Sequence, residues 1–370
     1  NDVPQETPYT QADLDDLGRT FDLYHHPINV TAFGNESDID ANGVVAVLLT
    51  DGVNALTPDC SNGRVLGYFF GGDLIPGSAG SNAGEVFYAL VPAPATGNCP
   101  AVSRSAAVAA VKGTLIHEFQ HMISFNQHVL VRQGQSERVW LNEALSHFAE
   151  ELGGRLIPDS ECQPAFTSCR SLYTSGNLIN AYDYLENPES FYLISPGSSS
   201  GTLEERGAGW LFLRWVADHH SSDQPLGTSA TRALVGTTLT GFANVEAVTG
   251  RPLATLITEW HLANYLDDLP GFTPGSARIS FTSWGFRDIW ARNAPPQGTV
   301  FPRPFPMEPG LLTAPTPFSR SGTLRGGSGP TFRVVMPPGS ANYPVLVRKT
   351  AGGVALDAAL ATRIGIARIR

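Results

Sequence analysis

Positive charge is scarce in this chain. Of its 370 residues only Lys112 and Lys349 are lysine, and Lys and Arg together number 24 against 34 Asp and Glu. The resulting formal charge of -10 argues against a nucleic-acid partner, because phosphate backbones are bound by clustered cations. No apolar run reaches the roughly 18 residues that a membrane helix needs, so no membrane span is expected. Internal repeats and long low-complexity tracts are absent too, which sets aside solenoids and disordered tails. No CxxC pair occurs among the four cysteines, and this speaks for disulfides over a thiolate metal site. Cys162 and Cys169 bracket a six-residue loop and are expected to pair, leaving Cys60 for Cys99. Disulfides imply an oxidising compartment, so a secreted or periplasmic protein is expected. No leader opens the chain, and Asn1 in place of Met is expected to mark a mature form.

Hydrophobic residues make up 42% of the chain, enough for a sizeable core, while 38 Gly and 28 Pro require many turns. The pattern divides into three consecutive segments. Residues 1–104 read as α/β: "TQADLDDLGRTFDLYHHPI" is a helix with Thr10 as its N-cap, and "VVAVLLT", "RVLGYFF" and "GEVFYALVPAP" are strands. Residues 105–274 are helical, with "SRSAAVAAVKGTLIHEFQHMISF" carrying Val108, Val111, Leu115 and Met122 along one face and "VWLNEALSHFAEELGG" forming the next helix. Residues 275–370 turn Pro- and Gly-rich, and "TFRVVMPP", "YPVLVRKT" and "TRIGIARIR" are expected as strands of a small C-terminal β domain.

The chemistry concentrates in "LIHEFQHMISFNQH". On a helix His117 and His121 project from one face a turn apart, a spacing that lets two imidazoles hold one Zn²⁺. Glu118 lies about 100° further round and can reach a water on the metal without displacing it. This is the HExxH pattern, with the Glu as general base. A catalytic zinc needs a third protein ligand and one open position. Glu143, 22 residues after His121 on the next helix, supplies a carboxylate. His128 is two turns past His121, too far to share the ion, and is expected to be exposed or to sit behind the site.

HEFQH followed by WLNEALSHFAEEL resembles the gluzincin metalloproteases, most closely the bacterial hyicolysin-type neutral metalloproteases, over most of residues 15–270. The resemblance implies an α+β fold: a thermolysin-like zincin catalytic unit, with a mixed-sheet subdomain and a helical subdomain, followed here by the small β domain. It implies zinc on His117, His121 and Glu143, with Glu118 as the base, and Asn142 matches the Asn that precedes the third ligand. It implies a monomeric secreted endopeptidase, acting on protein or peptide substrates by a metal-bound water. An edge strand beside the zinc helix would pair with the extended substrate, and "NAGEVFYAL" is the candidate. Two departures stand out. The Asp that orients a ligating His is replaced by His147, leaving Glu150 or Glu151 for that task. The Tyr that steadies the oxyanion is missing; Arg206, Tyr182, Tyr184 and Tyr192 are the candidates. An aminopeptidase and an inactive zincin-fold binding or adhesion protein are the alternative readings.

Elsewhere "SDIDANG" places Asp38, Asp40 and Asn42 at alternate positions before Gly43, like the first half of a calcium loop. The twelfth position is Leu49 rather than Glu, so a Ca²⁺ there would need a ligand from elsewhere; the bland alternative is an Asx turn into a strand.

Overall fold

The computed structural model describes residues 8–61, 63–197, 199–339, 343–347, 355 and 362–369. In chain order the elements are α1 (Gln11–Thr20), α2 (His26–Phe33), β1 (Ala46–Leu49), α3 (Asp51–Ala55), β2 (Gly67–Phe69), β3 (Val86–Ala89), α4 (Arg104–Phe125), α5 (Val139–Leu156), α6 (Cys169–Glu186), α7 (Leu203–His220), α8 (Thr228–Val235), α9 (Gly241–Thr249), α10 (Leu253–Leu266), α11 (Phe286–Arg292), β4 (Gly310–Thr313) and β5 (Phe332–Val335). Long helices and two small sheets make the fold α+β. The described residues group into two compact units. One holds residues 1–176 and 221–244, the other 177–220 and 245–370. Each unit is discontinuous in sequence.

Local chemistry explains where the first unit's helices begin. Thr10 caps α1 in a reciprocal box: its hydroxyl accepts the Asp13 N–H at 3.3 Å, and the Asp13 carboxylate accepts the Thr10 N–H at 2.7 Å. A π-helical turn, Phe21–His25, joins α1 to α2, so the helix expected over this stretch is interrupted in register but not broken. Ser103 caps α4 by accepting the Ala106 N–H at 3.2 Å.

The first sheet has the order β1–β3–β2, with β1 parallel and β2 antiparallel to β3. The strand in "NAGEVFYAL" is therefore central, not the exposed edge expected of it. Its composition explains why: Phe87, Tyr88 and Ala89 are all buried, as suits a strand covered on both faces. The edge nearer the long helices is β2. Gly67 lets it lie close, since a Cβ there would stand 2.5 Å from the Tyr88 carbonyl oxygen and 2.7 Å from Thr114 Cγ2 on α4. Beneath the sheet Phe21, Phe87 and Phe119 pack edge to face or tilted, and α4 runs along α5. Both expected disulfides form, Cys60–Cys99 and Cys162–Cys169.

The second unit is built around aromatic side chains. Trp210 meets Trp284 and Phe286 edge to face, Phe286 stacks on Trp290, and Tyr184 stacks on Trp260. Of the three C-terminal strands expected, the first is the one that forms among the described residues, as β5, which pairs in parallel with a short β4. Residues 343–347 and 362–369 are irregular, and the rest of those two stretches lies outside the described residues. β-rich composition without a partner edge does not make a strand. Among the described residues no helix is long and apolar enough to cross a membrane.

Candidate active site

The second half of α4 is buried nearly all round, over Thr114–Gln120 and Met122–Ser124. Polar side chains on such a helix need partners, and those partners come from α5 and β2.

His117 and His121 lie one turn apart with ring centroids 4.9 Å from each other. Across from them, on α5, the Glu143 carboxylate faces both rings. One oxygen is 3.6 Å from His117 Nε2 and the other 3.8 Å from His121 Nε2. These separations are too long for hydrogen bonds. They approach the spacing of about 3.4 Å between two ligands of one tetrahedral zinc with bonds near 2.0–2.1 Å. The three ligand atoms all lie within 4.8 Å of one another. The donor set can therefore hold one metal ion once the three ligand atoms draw together around it.

A second group, His117, His147 and Glu150, shares one residue with the first. The two nitrogens of His117 separate the roles. Nε2 faces Glu143, while Nδ1 is hydrogen-bonded to Glu150 at 2.7 Å. A ring with Nδ1–H tied to a carboxylate presents a basic Nε2 to a metal. The other oxygen of Glu150 reaches His147 Nδ1 at 3.2 Å. Glu150 thus stands where an orienting carboxylate is needed. Glu151, the other candidate, is turned the opposite way and bonds Arg155 at 2.7 Å. His147 sits against His117, ring centroids 4.9 Å apart, and shares its carboxylate.

On the other ring, Ser146 Oγ is 3.0 Å from His121 Nδ1 and donates to Gln120 Oε1 at 2.6 Å. Ser146 Oγ is also 3.3 Å from His121 Nε2, so it links the ring to Gln120 from between the two ring nitrogens. Burial opposes charge on His117, but Glu143 and Glu150 outweigh it and raise its pKa. Burial likewise opposes an ionised Glu150, yet His147 and His117 hold its pKa below the usual range. A cation bound among these carboxylates would compensate their charge.

Glu118 is buried, and its Oε2 accepts the Phe69 N–H of β2 at 2.8 Å. The close approach allowed by Gly67 brings that amide to it. The sequence reading did not anticipate Phe69, Ser146 or Gln120. A signal was present for Ser146: Glu143, Ser146, His147 and Glu150 follow the i, i+3, i+4, i+7 spacing of one helical face, so four polar side chains occupy the stripe that packs on α4.

His128 is not part of this constellation. It is fully buried rather than exposed, in the π-helical segment Asn126–Val131, with Nε2 3.8 Å from Glu137. Burial lowers its pKa. The backbone carbonyl of Asn142, beside Glu143, stands 3.2 Å from Ser146 Oγ as the weaker of two acceptors for its one proton. The four oxyanion candidates belong to the second unit. Tyr182 donates its hydroxyl to the Arg303 carbonyl, Tyr184 is buried on Trp260, Tyr192 lies under the Arg325 guanidinium, and Arg206 donates to the Ser200 carbonyl. Asp38 and Asp40 come together with a residue from outside their loop, Glu85, whereas Asn42 turns back on the loop.

An α+β fold with two imidazoles and a carboxylate converging beside a buried glutamate defines a candidate hydrolytic metal centre. Comparison with known proteins points the same way. The chain is 32% identical over 146 residues to neutral metalloprotease ShpI of Staphylococcus hyicus, a match covering 39% of this chain and 31% of that protein. The matched region thus spans less than a third of the relative's length. No protein-family model matches the chain.

Proposed function

We propose that this chain is a secreted zinc endopeptidase of the gluzincin type, with a thermolysin-like catalytic unit. The observation that carries the proposal is the convergence of His117 Nε2 and His121 Nε2 on one Glu143 carboxylate, at 3.6 and 3.8 Å. The similarity to a neutral metalloprotease supports it. The two disulfides suit an extracellular or periplasmic setting.

His117, His121 and Glu143 would hold the ion. Zinc there supplies a Lewis acid that activates water and polarises a carbonyl. The chain's own residues do the rest. Glu118 takes the proton of the attacking water and delivers it to the leaving amine. The Phe69 amide on Oε2 fixes the rotation of that carboxylate and stabilises its ionised form. Glu150 holds the His117 ring by its Nδ1 atom, which keeps Nε2 aimed at Glu143, and Ser146 steadies the His121 ring from between its two nitrogens. As an edge of its sheet, β2 is the strand placed to pair with an extended peptide close to Glu118.

Mass spectrometry of the products from an unstructured protein such as casein tests this. Cuts within the chain, lost in His117→Ala together with the zinc, are the expected outcome. Release of single residues from free N-termini would replace the endopeptidase with an aminopeptidase. Zinc retention with no cleavage of any peptide would leave a binding protein on a zincin fold.

A further inference from the structure

We propose a second metal site, selective for Ca²⁺, made by Asp38, Asp40 and Glu85. One oxygen from each of these carboxylates lies within 4.8 Å of the others. Two oxygens on opposite sides of one calcium, each bonded at about 2.4 Å, stand about 4.8 Å apart, so the three are close enough for one ion to draw them into its coordination sphere.

Glu85 points to a cation most strongly. It precedes β3, its backbone carbonyl accepts the Ala46 N–H at 2.7 Å, and its side chain is 2% exposed. Oε1 is satisfied by the Ser37 hydroxyl at 2.6 Å and the Ile39 N–H at 3.0 Å. Oε2 is buried with no hydrogen-bond partner. A buried carboxylate oxygen left without a donor is costly. Two further carboxylates beside it raise the cost by repulsion. Among the described residues no Lys, Arg or His pairs with any of the three. A hard divalent cation held by the three carboxylates would remove the repulsion.

The surroundings are shaped to leave the site open. A Cβ on Gly84 would stand 3.2 Å from Asp40 Oδ2, so a larger residue there would press on the carboxylate. Asn42 orients rather than ligates: its side-chain amide donates to Asp40 Oδ2 at 2.7 Å, and its Oδ1 accepts the Val44 N–H at 2.6 Å. Asp38 accepts the Gly43 N–H at 3.0 Å. The site thus joins the loop before β1 to the start of β3, in the sheet whose edge strand contacts Glu118. Three carboxylates and flexible oxygen geometry favour calcium over the smaller magnesium, which demands near-ideal octahedral packing.

The test uses the full chain at fixed zinc, dialysed into calcium-free buffer and titrated calorimetrically with CaCl₂ or MgCl₂, with thermal unfolding followed in parallel. One Ca²⁺ per chain and a rise in Tm on saturation are expected. Glu85→Gln should weaken calcium binding by about tenfold or more, while its Tm without calcium equals or exceeds that of the wild type. Asp40→Asn, at an exposed position that leaves the core untouched, should weaken binding similarly and serves if Glu85→Gln does not fold. Absence of calcium uptake, uptake unchanged by both variants, or magnesium binding as tight as calcium would each overturn the proposal.

Discussion

Replacing Glu150 separates a positioning role from a merely structural one. Its carboxylate is mostly buried and bonds His117 Nδ1 at 2.7 Å and His147 Nδ1 at 3.2 Å. Glu150→Gln keeps an acceptor but removes the charge. A hydrogen bond to a charged group contributes about 1 kcal/mol more than a neutral one, so zinc affinity should fall about fivefold. Glu150→Ala leaves Nδ1 without its acceptor, and the loss should approach 100-fold, near 2.7 kcal/mol. Competition against a chromophoric zinc chelator measures both. Glu151→Gln provides the contrast, because Glu151 serves Arg155. It should lower the melting temperature while the folded protein binds zinc as before. Wild-type zinc affinity in Glu150→Ala, or equal losses in the Glu150 and Glu151 variants, would refute the assignment.

Two further expectations follow from packing and burial. Gly67→Ala forces a Cβ against the Tyr88 carbonyl and Thr114 and should shift β2. Stability should drop by about 1–3 kcal/mol, and peptide cleavage should fall beyond what the stability loss explains as the Phe69 amide leaves Glu118. Unchanged cleavage and unfolding would show that β2 needs no such closeness. In the second unit, burial raises the Asp267 pKa to about 7, with Asp268 adding to the effect and the Phe281 N–H opposing it. The folded protein then holds a proton that the unfolded chain releases near pH 4. Stability from this group is lost as pH rises from about 4 to 7, by at most about 1.4 kcal/mol per pH unit. Asp267→Asn should be more stable than wild type at pH 8, with the gap shrinking towards pH 5; a gap independent of pH would contradict the sign.

How much could be read beforehand depended on the range of the interaction. His117, Glu118 and His121 declare themselves because their spacing acts within a turn. Glu143 does so because it is the carboxylate beside apolar Trp140 and Leu141 on the helix that follows the HExxH segment. Glu150 and Glu151 are both acidic, and only the rotation of α5 against α4 decides between them. Strand order is non-local, so β3 could be recognised as a strand but not as the central one. His128 followed from counting α-helical turns, and a π-helical segment breaks that count. Glu85 was invisible as a partner of the Asp38–Asp40 loop because 45 residues separate it from Asp40 and only the parallel pairing of β1 with β3 brings them together.

The most direct test of the account is the peptidase activity of Glu118→Gln at full zinc occupancy. Purified wild type and variant should each carry about one zinc per chain, since Glu118 is not among the ligands. Cleavage of an internally quenched peptide should fall by about 10²–10⁴-fold in the variant, the range for losing a general base. Cleavage by the zinc-loaded variant at the wild-type rate, or a wild-type protein that takes up no zinc, would contradict the central claim.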